Sequence, residues 1–313
     1  MRFQNPLLHR LSRWAKRWIY NPWYRTTLHA ADFPPEVWIE NTNICNARCL
    51  MCPRDKHTRP QGVMPLPLFE KIVAEIAARG DAVRRVHLHN FGEPLVDKDL
   101  AQRVRLAKEK GLRHVYFVTN ASLLTEPLAK GLIAAGLDEM KISFYGTDAE
   151  TYNRTMVGLD FEKTMANVRA FFRLRKEAGT AKPRVVIQYL PQASNAGRVS
   201  EFAAIFDGLI DRSLGDSTNV FSLHNFGGGR SPREAARVVC TVCDYPWRTM
   251  VILHDGRVVP CCLDYDGKLV VGDVNRQTLA EVWNGPDYTA LRADFKRLDY
   301  RPHPVCLGCD RIF

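Results

Sequence analysis

The sequence predicts an α/β protein in which six strand–helix units form an open or partial barrel, followed by a small cysteine-rich domain. Three observations support this prediction. Short apolar runs alternate with amphipathic stretches from residue 36, glycines follow the amphipathic stretches, and the pattern changes near residue 230 to a tail that is rich in cysteine. Regular alternation of this kind is typical of a mainly parallel sheet covered by helices.

The apolar runs predict six strands, at residues 36–40, 84–89, 114–119, 139–144, 184–190 and 219–224. The amphipathic stretches predict helices between them, at residues 66–79, 98–110, 125–135, 149–156 with 160–178, and 198–210. Consecutive strands joined through helices favour parallel pairing with right-handed crossovers. Ligands of such sheets bind at the carboxyl ends of the strands, so we expect the functional residues in the loops that follow the strands.

Four glycines follow predicted helices, namely Gly80, Gly111, Gly136 and Gly179. A helix commonly ends in a residue with positive φ just beyond its last turn, and glycine adopts that conformation without a side-chain clash. These glycines therefore predict where four of the helices end.

The segment 227–232 has three consecutive glycines followed by Arg, Ser and Pro, the composition of a linker. It divides the chain into a basic N-terminal extension (1–34), a core domain (35–232) and a C-terminal domain (233–313). In the last of these, Asp255-Gly256 predicts a hairpin turn and Thr278 with Glu281 predicts a capping box. Because this domain is small and rich in cysteine, we expect a metal centre to stabilise it.

The formal net charge of +10 is unevenly distributed. Residues 1–34 contain six basic residues, one acidic residue and several apolar residues at roughly helical spacing. This segment is either a helix packed on the core domain or, through residues 1–25, a helix resting on anionic lipid. The rest of the chain has no further basic stripe, so we expect no nucleic-acid partner.

With no apolar run long enough to span a membrane and no signal peptide, we expect a cytoplasmic protein, in the lipid-bound case at the inner face of the membrane.

Nine cysteines, most of them in short clusters, favour metal ligation over a disulfide framework. Cys45, Cys49 and Cys52 lie in one loop directly after the first predicted strand. Three thiolates so close together can hold three irons of a [4Fe–4S] cluster and leave the fourth iron open to another ligand. A zinc knuckle or a single reactive thiol could produce a similar spacing, but the position after the first strand of a βα series favours the cluster.

A second motif, Phe91-Gly92-Glu93-Pro94, follows the second predicted strand. We expect Gly92 to allow close approach of the backbone to a ligand, and a carboxylate such as Glu93 can accept hydrogen bonds from an ammonium group. The alternative interpretation is that Glu93 is an ordinary solvated loop residue that binds no ligand.

With these two motifs, residues 36–230 resemble the radical S-adenosylmethionine (radical SAM) superfamily, whose fold is a partial TIM barrel. The resemblance implies that the methionine part of S-adenosylmethionine chelates the open iron and that Glu93 binds its ammonium group. It also implies that Met51 lies against the adenine and that Asn120 and Ser143, after the third and fourth strands, contact the ribose or the carboxylate. The family usually has two glycines before the glutamate, and here Phe91 replaces the first of them.

The tail resembles the SPASM extension of radical SAM enzymes, in a short form with one auxiliary [4Fe–4S] cluster. The resemblance implies four ligands: Cys243, Cys261, Cys306 and Cys309. A structural zinc site is the alternative, since CxxC pairs commonly ligate zinc. Cys240 and Cys262 are left over. Each is a small buried hydrophobe, a replacement for one of the assigned ligands, or a donor of its S–H hydrogen to a substrate radical.

The resemblance implies an enzyme whose first cluster reduces the sulfonium and yields a 5′-deoxyadenosyl radical, with an electron donor such as flavodoxin or ferredoxin. Our leading hypothesis is oxidation of a secondary alcohol in a carbohydrate or aminocyclitol-like substrate, with the electron passing to the auxiliary cluster. Among polar candidates for the base, His224 and Arg230 rank first because they precede the domain junction; His89, Tyr145, Gln188 and Tyr189 are the others. The alternatives are a sugar epimerase, a peptide-modifying enzyme and a non-enzymatic iron–sulfur regulator.

Overall fold

The computed structural model describes residues 21–191, 197–221, 224–227 and 242–311, together with Ala15 and Ile19. Nine strands in these residues form one sheet, with the order β6-β5-β4-β3-β2-β1-β7-β8-β9. The strands are β1 Glu36–Ile39, β2 Arg85–His87, β3 Val115–Thr119, β4 Glu139–Ser143, β5 Arg184–Tyr189, β6 Ser217–Val220, β7 Thr249–Ile252, β8 Arg257–Val259 and β9 Gly272–Asp273.

Strands β1 to β6 pair in parallel with their sequence neighbours, as predicted. The helices are α1 Asn21–Thr27, α2 Leu66–Ala77, α3 Leu100–Glu109, α4 Glu126–Ala134, α5 Ala149–Thr155, α6 Phe161–Glu177, α7 Val199–Phe206, α8 Tyr245–Arg248, α9 Leu279–Trp283, α10 Pro286–Lys296 and α11 Pro304–Leu307. The glycines predicted to end four helices all have positive φ, between +52° at Gly80 and +82° at Gly111. The predicted fold class is therefore confirmed.

The sixth strand differs from the prediction. It covers Ser217–Val220 instead of residues 219–224, because its register pairs Val186 with Ser217 and Tyr189 with Val220. Strand β5 ends at Tyr189, so a chain beyond Val220 has no partner strand to pair with.

The C-terminal domain contributes strands to the same sheet, which the sequence did not predict. Strand β7 pairs in parallel with β1, from Glu36 opposite Thr249 to Ile39 opposite Ile252. Strands β8 and β9 then continue the sheet in antiparallel order. The hairpin at Asp255-Gly256 and the capping box between Thr278 and Glu281 are confirmed, and Gly256 has φ of +92°.

The two faces of the parallel strands have different surroundings. Val37, Ile39 and Val86 belong to the large hydrophobic core, on the face that the helices cover. Alternate residues of a strand point to opposite faces, so Trp38 and His87 point into the barrel. Their rings stack there with centroids 3.4 Å apart. We call this interior the lumen; it is lined at this level by aromatic and polar side chains.

No helix in the described part of the chain is long and apolar enough to cross a membrane. The segment proposed to rest on lipid, residues 1–25, lies mostly outside the described residues, and so do the linker beyond Gly227 and the boundary at 232/233. The division into three domains stays a prediction.

Candidate active site: two cysteine clusters at the barrel

The loop that carries Cys45, Cys49 and Cys52 follows β1 at the carboxyl edge of the sheet. All three thiols are partly buried. The loop folds on itself through two short contacts: the Ala47 amide lies 3.4 Å from the Cys45 sulfur, and the Cys52 amide donates to the Cys49 carbonyl at 3.1 Å. These contacts fold the backbone of the loop around its cysteines.

The segment after α5 supports this loop from outside. The amides of Arg48 and Leu50 donate to the carbonyls of Val157 (2.8 Å) and Thr155 (3.1 Å). Gly158, with φ of +92°, lies so close that a Cβ there would be 3.3 Å from the Asn46 carbonyl oxygen. The cysteine loop, which follows β1, is thus held in place by the distant segment that follows α5.

Gly92 is required by the protein backbone itself, and the close approach of a ligand to it stays a prediction. A Cβ on Gly92 would lie 2.1 Å from the Thr42 carbonyl oxygen and 2.9 Å from that of Ile44. The neighbouring Glu93 amide donates to the Ile44 carbonyl at 2.8 Å. The Gly92-Glu93 segment is therefore pressed against the three residues that lead into Cys45.

The Glu93 side chain is buried and accepts three hydrogen bonds. Its donors are the Leu95 amide (3.1 Å), the Thr119 hydroxyl (2.6 Å) and the Asn120 amide (2.8 Å). Burial raises the pKa of Glu93 to about 7, although these hydrogen bonds act to lower it. A cationic partner would stabilise the charged form of a buried carboxylate with such a raised pKa. Glu93 is therefore not a solvated loop residue, which was the alternative interpretation of the sequence.

Asn120 and Ser143 make contacts within the protein. The Asn120 amide nitrogen donates to Asn46 Oδ1 at 3.0 Å, and its oxygen accepts from the Ser122 amide and hydroxyl. Ser143 accepts from the Tyr145 hydroxyl at 3.0 Å. Asn120 thereby connects the end of β3 with the cysteine loop; a contact of either residue with S-adenosylmethionine stays a prediction.

The chemistry of the thiols fits a metal centre. Burial raises the pKa of Cys45 to about 11 and raises that of Cys49 further, and the neighbouring thiols act in the same direction. Such thiols ionise at neutral pH only when a metal compensates their charge. A cavity of about 640 Å³ reaches Cys49 and Cys52 from the surface. Met51 is buried in the hydrophobic core beside them.

The four cysteines predicted to bind the auxiliary cluster line one cavity. Cys243, Cys261, Cys306 and Cys309 all border it, and Cys262 does not. A [4Fe–4S] cluster binds each of its four thiolates through a different iron, so four thiols around one cavity suit such a cluster.

Cys262 lies beside Cys261 in the turn that follows β8. It packs against Trp38, Val251, Leu253 and Val259, a cluster separate from the main core. A hydrogen bond with Cys261 is the first cause that lowers the pKa of its thiol. The Cys262 thiol thus contacts the cluster around Trp38 and also shares hydrogen bonds with Cys261 and Tyr245, two residues that line the auxiliary cavity.

A buried ionic network lies between the first cysteine loop and the C-terminal domain, and no sequence pattern predicted it. The Arg59 guanidinium donates two hydrogen bonds of 2.8 Å to Glu40, and the His254 amide donates to Glu40 at 3.2 Å. Next to it, Asp266 accepts from the Thr58 amide (2.6 Å) and hydroxyl (2.8 Å). These contacts fix the segment after the cysteine loop to the C-terminal domain.

Phe91, which replaces a glycine of the family motif, belongs to an aromatic group at the same junction. Its ring lies 5.5 Å from that of His57, 6.0 Å from that of Tyr265 and 5.8 Å from that of Phe226. Burial lowers the pKa of His57 to about 4, so this imidazole is neutral at physiological pH. The replacement adds side-chain contact between the barrel and the tail.

The remaining predicted residues are less informative. His224 is partly exposed, with its Nδ1 3.5 Å from Asp310 near the end of the chain. Arg230 and Cys240 lie outside the described residues. In contrast, His89 lies at the carboxyl end of β2, its Nδ1 is buried, and it finds no hydrogen-bond partner in the described part of the chain.

Two family models match the chain. That of the radical SAM superfamily matches residues 39–183, and that of SPASM, an iron–sulfur cluster-binding domain, matches residues 243–310. The chain is a radical SAM enzyme with a SPASM domain. S-adenosylmethionine and iron–sulfur clusters are accordingly its cofactors, and the two cysteine sites fall one within each matched region.

Curated relatives cover most of the chain at low identity. A tungsten-containing aldehyde ferredoxin oxidoreductase cofactor-modifying protein of Pyrococcus furiosus is 24% identical over 87% of this chain and 86% of its own length. An S-adenosyl-L-methionine-dependent 2-deoxy-scyllo-inosamine dehydrogenase of Niallia circulans is 21% identical, over 88% and 92% respectively. The radical SAM enzyme is thus related over nearly its whole length to proteins of different activities.

Solved structures share the fold. BtrN in complex with AdoMet and 2-DOIA superposes with a TM-score of 0.62 and 19% identity, covering 89% of this chain and 93% of BtrN. Streptococcus suis SuiB bound to the precursor peptide SuiA gives a TM-score of 0.67 with 14% identity, covering 88% and 70%. At these identities the likeness establishes the fold of the radical SAM enzyme and not its substrate.

Proposed function

We propose that this radical SAM enzyme oxidises a secondary alcohol of a carbohydrate or aminocyclitol-like substrate and passes the substrate's second electron to an auxiliary [4Fe–4S] cluster. The observation that carries the proposal is the position of Cys261 and Cys262. Cys261 borders the four-cysteine cavity, whereas its neighbour packs on Trp38 in the lumen. Because the Cys262 thiol also shares hydrogen bonds with Cys261 and Tyr245 at that cavity, an electron acceptor there would lie close to the Trp38 cluster.

The proposal assigns Cys45, Cys49 and Cys52 to the first cluster and Cys243, Cys261, Cys306 and Cys309 to the auxiliary cluster. When bound, the first cluster and S-adenosylmethionine supply the 5′-deoxyadenosyl radical, which takes a hydrogen atom from the substrate. Glu93 holds the ammonium group, since its carboxylate is already oriented by three donors. Met51, Asn120 and Ser143 contribute the predicted contacts to adenine and to the ribose or carboxylate.

The lumen has walls of aromatic and charged side chains, of which Trp38, His87 and Tyr116 are 9% exposed or less. Trp38 and His87 stack, the Tyr116 ring lies 4.4 Å from that of His87, and the Lys141 ammonium lies 4.5 Å from the Tyr116 centroid. Sites for small ligands combine aromatic walls with a few fixed polar groups in this way. A sugar-like substrate could rest on this floor with its hydroxyls toward the carboxyl edge of the sheet.

Oxidation of an alcohol also requires a group that takes the hydroxyl proton. His89 is the strongest of the described candidates, because it points to the same side of β2 as His87 and its ring lies 5.7 Å from that of Tyr116. Burial lowers the pKa of His89 well below its usual value, so the imidazole is neutral at physiological pH, and it would hold the hydroxyl proton only beside a negative charge such as that of the developing ketyl. His224 pairs with Asp310 in the tail and ranks lower in this proposal.

The test is product analysis after anaerobic reconstitution with both clusters. Candidate aminocyclitols and sugars are incubated with S-adenosylmethionine and dithionite, and 5′-deoxyadenosine and the product are identified by mass spectrometry. We expect a ketone lighter than the substrate by two hydrogen atoms, in proportion to the 5′-deoxyadenosine formed. Formation of 5′-deoxyadenosine with recovery of isomerised substrate would contradict oxidation.

The position of Cys262 favours one second candidate, a radical epimerase in which this thiol returns a hydrogen atom to the opposite face of the substrate. Cys262 reaches the lumen at Trp38, where the substrate radical would form. In deuterated water an epimerised product gains one deuterium, whereas a ketone does not. Cys262→Ala would abolish epimerisation but leave dehydrogenation intact, which separates the two candidates.

A further inference from the structure

Three titratable side chains follow one another through the lumen, from the carboxyl ends of the strands to their amino ends. Glu36 is the first residue of β1, His87 is the last residue of β2, and His89 follows two positions later. Alternate residues of a strand share a face, so Glu36 points to the same side as Trp38, and His89 to the same side as His87. We call Glu36, His87 and His89 the lumen column. Barrel interiors are usually filled by branched apolar side chains, so a polar column suggests a function.

The lower part of the column is an imidazole beside a carboxylate. His87 Nε2 lies 3.5 Å from the Glu36 carboxylate. The hydrogen bond with His87 is the first cause that lowers the pKa of Glu36 to about 2, and burial lowers the pKa of His87 to about 4. At neutral pH Glu36 is therefore charged and His87 is neutral. The Tyr116 hydroxyl is also 3.5 Å from Nε2, but a charged carboxylate is the stronger partner, so the single N–H of His87 lies on Nε2.

The upper part of the column has two buried nitrogen atoms without a partner. They are Nδ1 of His87 and Nδ1 of His89, and neither makes a hydrogen bond within the described ranges of the chain. Buried polar atoms rarely lack a partner. The two ring centroids are 5.8 Å apart, a gap that one bridging water can span. With its proton on Nε2, His87 presents the lone pair of Nδ1 to an incoming proton.

The amino end of the column reaches solvent. The Glu36 side chain is 17% exposed, and Arg248, which donates to it at 3.1 Å, is 47% exposed. The cations Lys141 and Arg85 act to lower the pKa of His87. A proton that arrives on His87 is therefore not retained there, because burial and these cations both disfavour the imidazolium form.

We propose that the lumen column carries the hydroxyl proton of the substrate from His89 through His87 to solvent beside Glu36. This inference rests on the proposed function, which releases that proton. The substrate loses one hydrogen atom to the 5′-deoxyadenosyl radical, its hydroxyl proton to His89 and one electron to the auxiliary cluster, which together make the two-electron oxidation to a ketone. His89 transfers the proton to Nδ1 of His87, and His87 releases its other proton from Nε2 to the Glu36 carboxylate, which passes it to water.

The test measures ketone and 5′-deoxyadenosine together in an anaerobic assay with dithionite, in H2O and in D2O. His87→Phe keeps a ring against Trp38 but carries no proton. Glu36→Gln keeps the size of the side chain but no longer accepts a proton. The matched controls are His114→Phe and Glu139→Gln, which make the same changes at a neighbouring His–Glu pair, 3.8 Å apart and outside the column.

We expect both column variants to lower the rate of ketone formation by roughly tenfold or more. The solvent isotope effect should rise, because proton transfer becomes rate-limiting. The ketone formed per 5′-deoxyadenosine should fall, since a substrate radical that keeps its proton is a weaker reductant and is reduced back to the alcohol by dithionite. Both controls should match the wild type in all three measurements, and iron content should be equal in all five proteins.

A wild-type isotope effect and ketone yield in Glu36→Gln would overturn the inference, even if His87→Phe fails to fold. Equal changes in a control and in its column counterpart would also overturn it, since the losses would then reflect general damage at the amino end of the barrel. Wild-type protein that forms 5′-deoxyadenosine but no ketone would instead contradict the proposed function.

Discussion

The carboxylate of Glu40 accepts two hydrogen bonds of 2.8 Å from the Arg59 guanidinium, and the two side chains are 0% and 2% exposed. Glu40 directly follows β1, and Arg59 follows the cysteine loop. The His254 amide, just after β7, donates to the same carboxylate. This one carboxylate therefore joins the barrel, the first cluster site and the C-terminal domain.

Removal of Arg59 should strongly destabilise the protein. Arg59→Met leaves the Glu40 charge buried without its main partner, and the loss of one member of a buried pair typically costs about 3–5 kcal/mol. The measurement is the free energy of unfolding in urea. The control is Arg173→Met, whose exposed ion pairs with Glu126 and Glu177 should contribute nothing measurable. Equal stability of the two variants would refute the structural role of the Glu40–Arg59 pair.

The Glu40–Arg59 pair also predicts how the free energy of unfolding depends on pH. Burial acts to raise the pKa of Glu40, but hydrogen bonds from Arg59 and His254 outweigh it and lower the pKa from 4.5 to about 2. A carboxyl group with a lowered pKa stabilises the fold above its unfolded pKa, and this stabilisation disappears as the pH falls through the folded value. The free-energy difference between wild type and Glu40→Gln should therefore shrink from about pH 6 to about pH 3. A difference that is constant over this range would contradict the lowered pKa.

Gly92→Ala should disturb the entry to the first cysteine loop. The new methyl group would lie 2.1 Å from the Thr42 carbonyl oxygen, so the backbone has to move. Overpacking of this kind costs about 1–3 kcal/mol or more. We expect lower stability and weaker binding of S-adenosylmethionine, measured by urea unfolding and by equilibrium dialysis. Gly208→Ala is the control, because nothing lies within 4 Å of its Cβ position; if Gly92→Ala behaves like it, the close approach is not needed.

Iron content should distinguish Cys309, a predicted ligand of the auxiliary cluster, from Cys262, which is not assigned as a ligand. Cys309→Ser removes a thiol that borders the four-cysteine cavity, so iron should fall from about eight to about four per chain. Cys262→Ser should keep about eight, because this thiol packs on the Trp38 cluster and does not border the four-cysteine cavity. Iron is measured by colorimetric assay together with zinc by mass spectrometry. Loss of iron in Cys262→Ser would assign that residue as a ligand, and zinc in the wild-type tail would exclude the auxiliary cluster.

The parallel strands, the ends of four helices and the hairpin could be predicted because their signals are local. Positive φ at Gly80 and Gly111 follows from the absence of a side chain, and the Asp255-Gly256 turn follows from its own two residues. The cysteine loop could also be placed, since it comes directly after an apolar strand. The sixth strand was misplaced because its length depends on where β5 ends. Residues 217–224 themselves contain no signal of that position.

The sequence by itself determined the βα order, the location of both cysteine groups and the Gly92-Glu93 motif, because spacing and turn chemistry act over a few residues. Only the tertiary structure decided that β7 pairs with β1, that Gly92 presses on Thr42, and that Asp266 holds Thr58 from 208 positions away. It also decided that Cys261 borders the four-cysteine cavity and that Cys262 packs on the cluster around Trp38. These contacts join segments that are far apart in the chain, so no pattern of neighbouring residues encodes them.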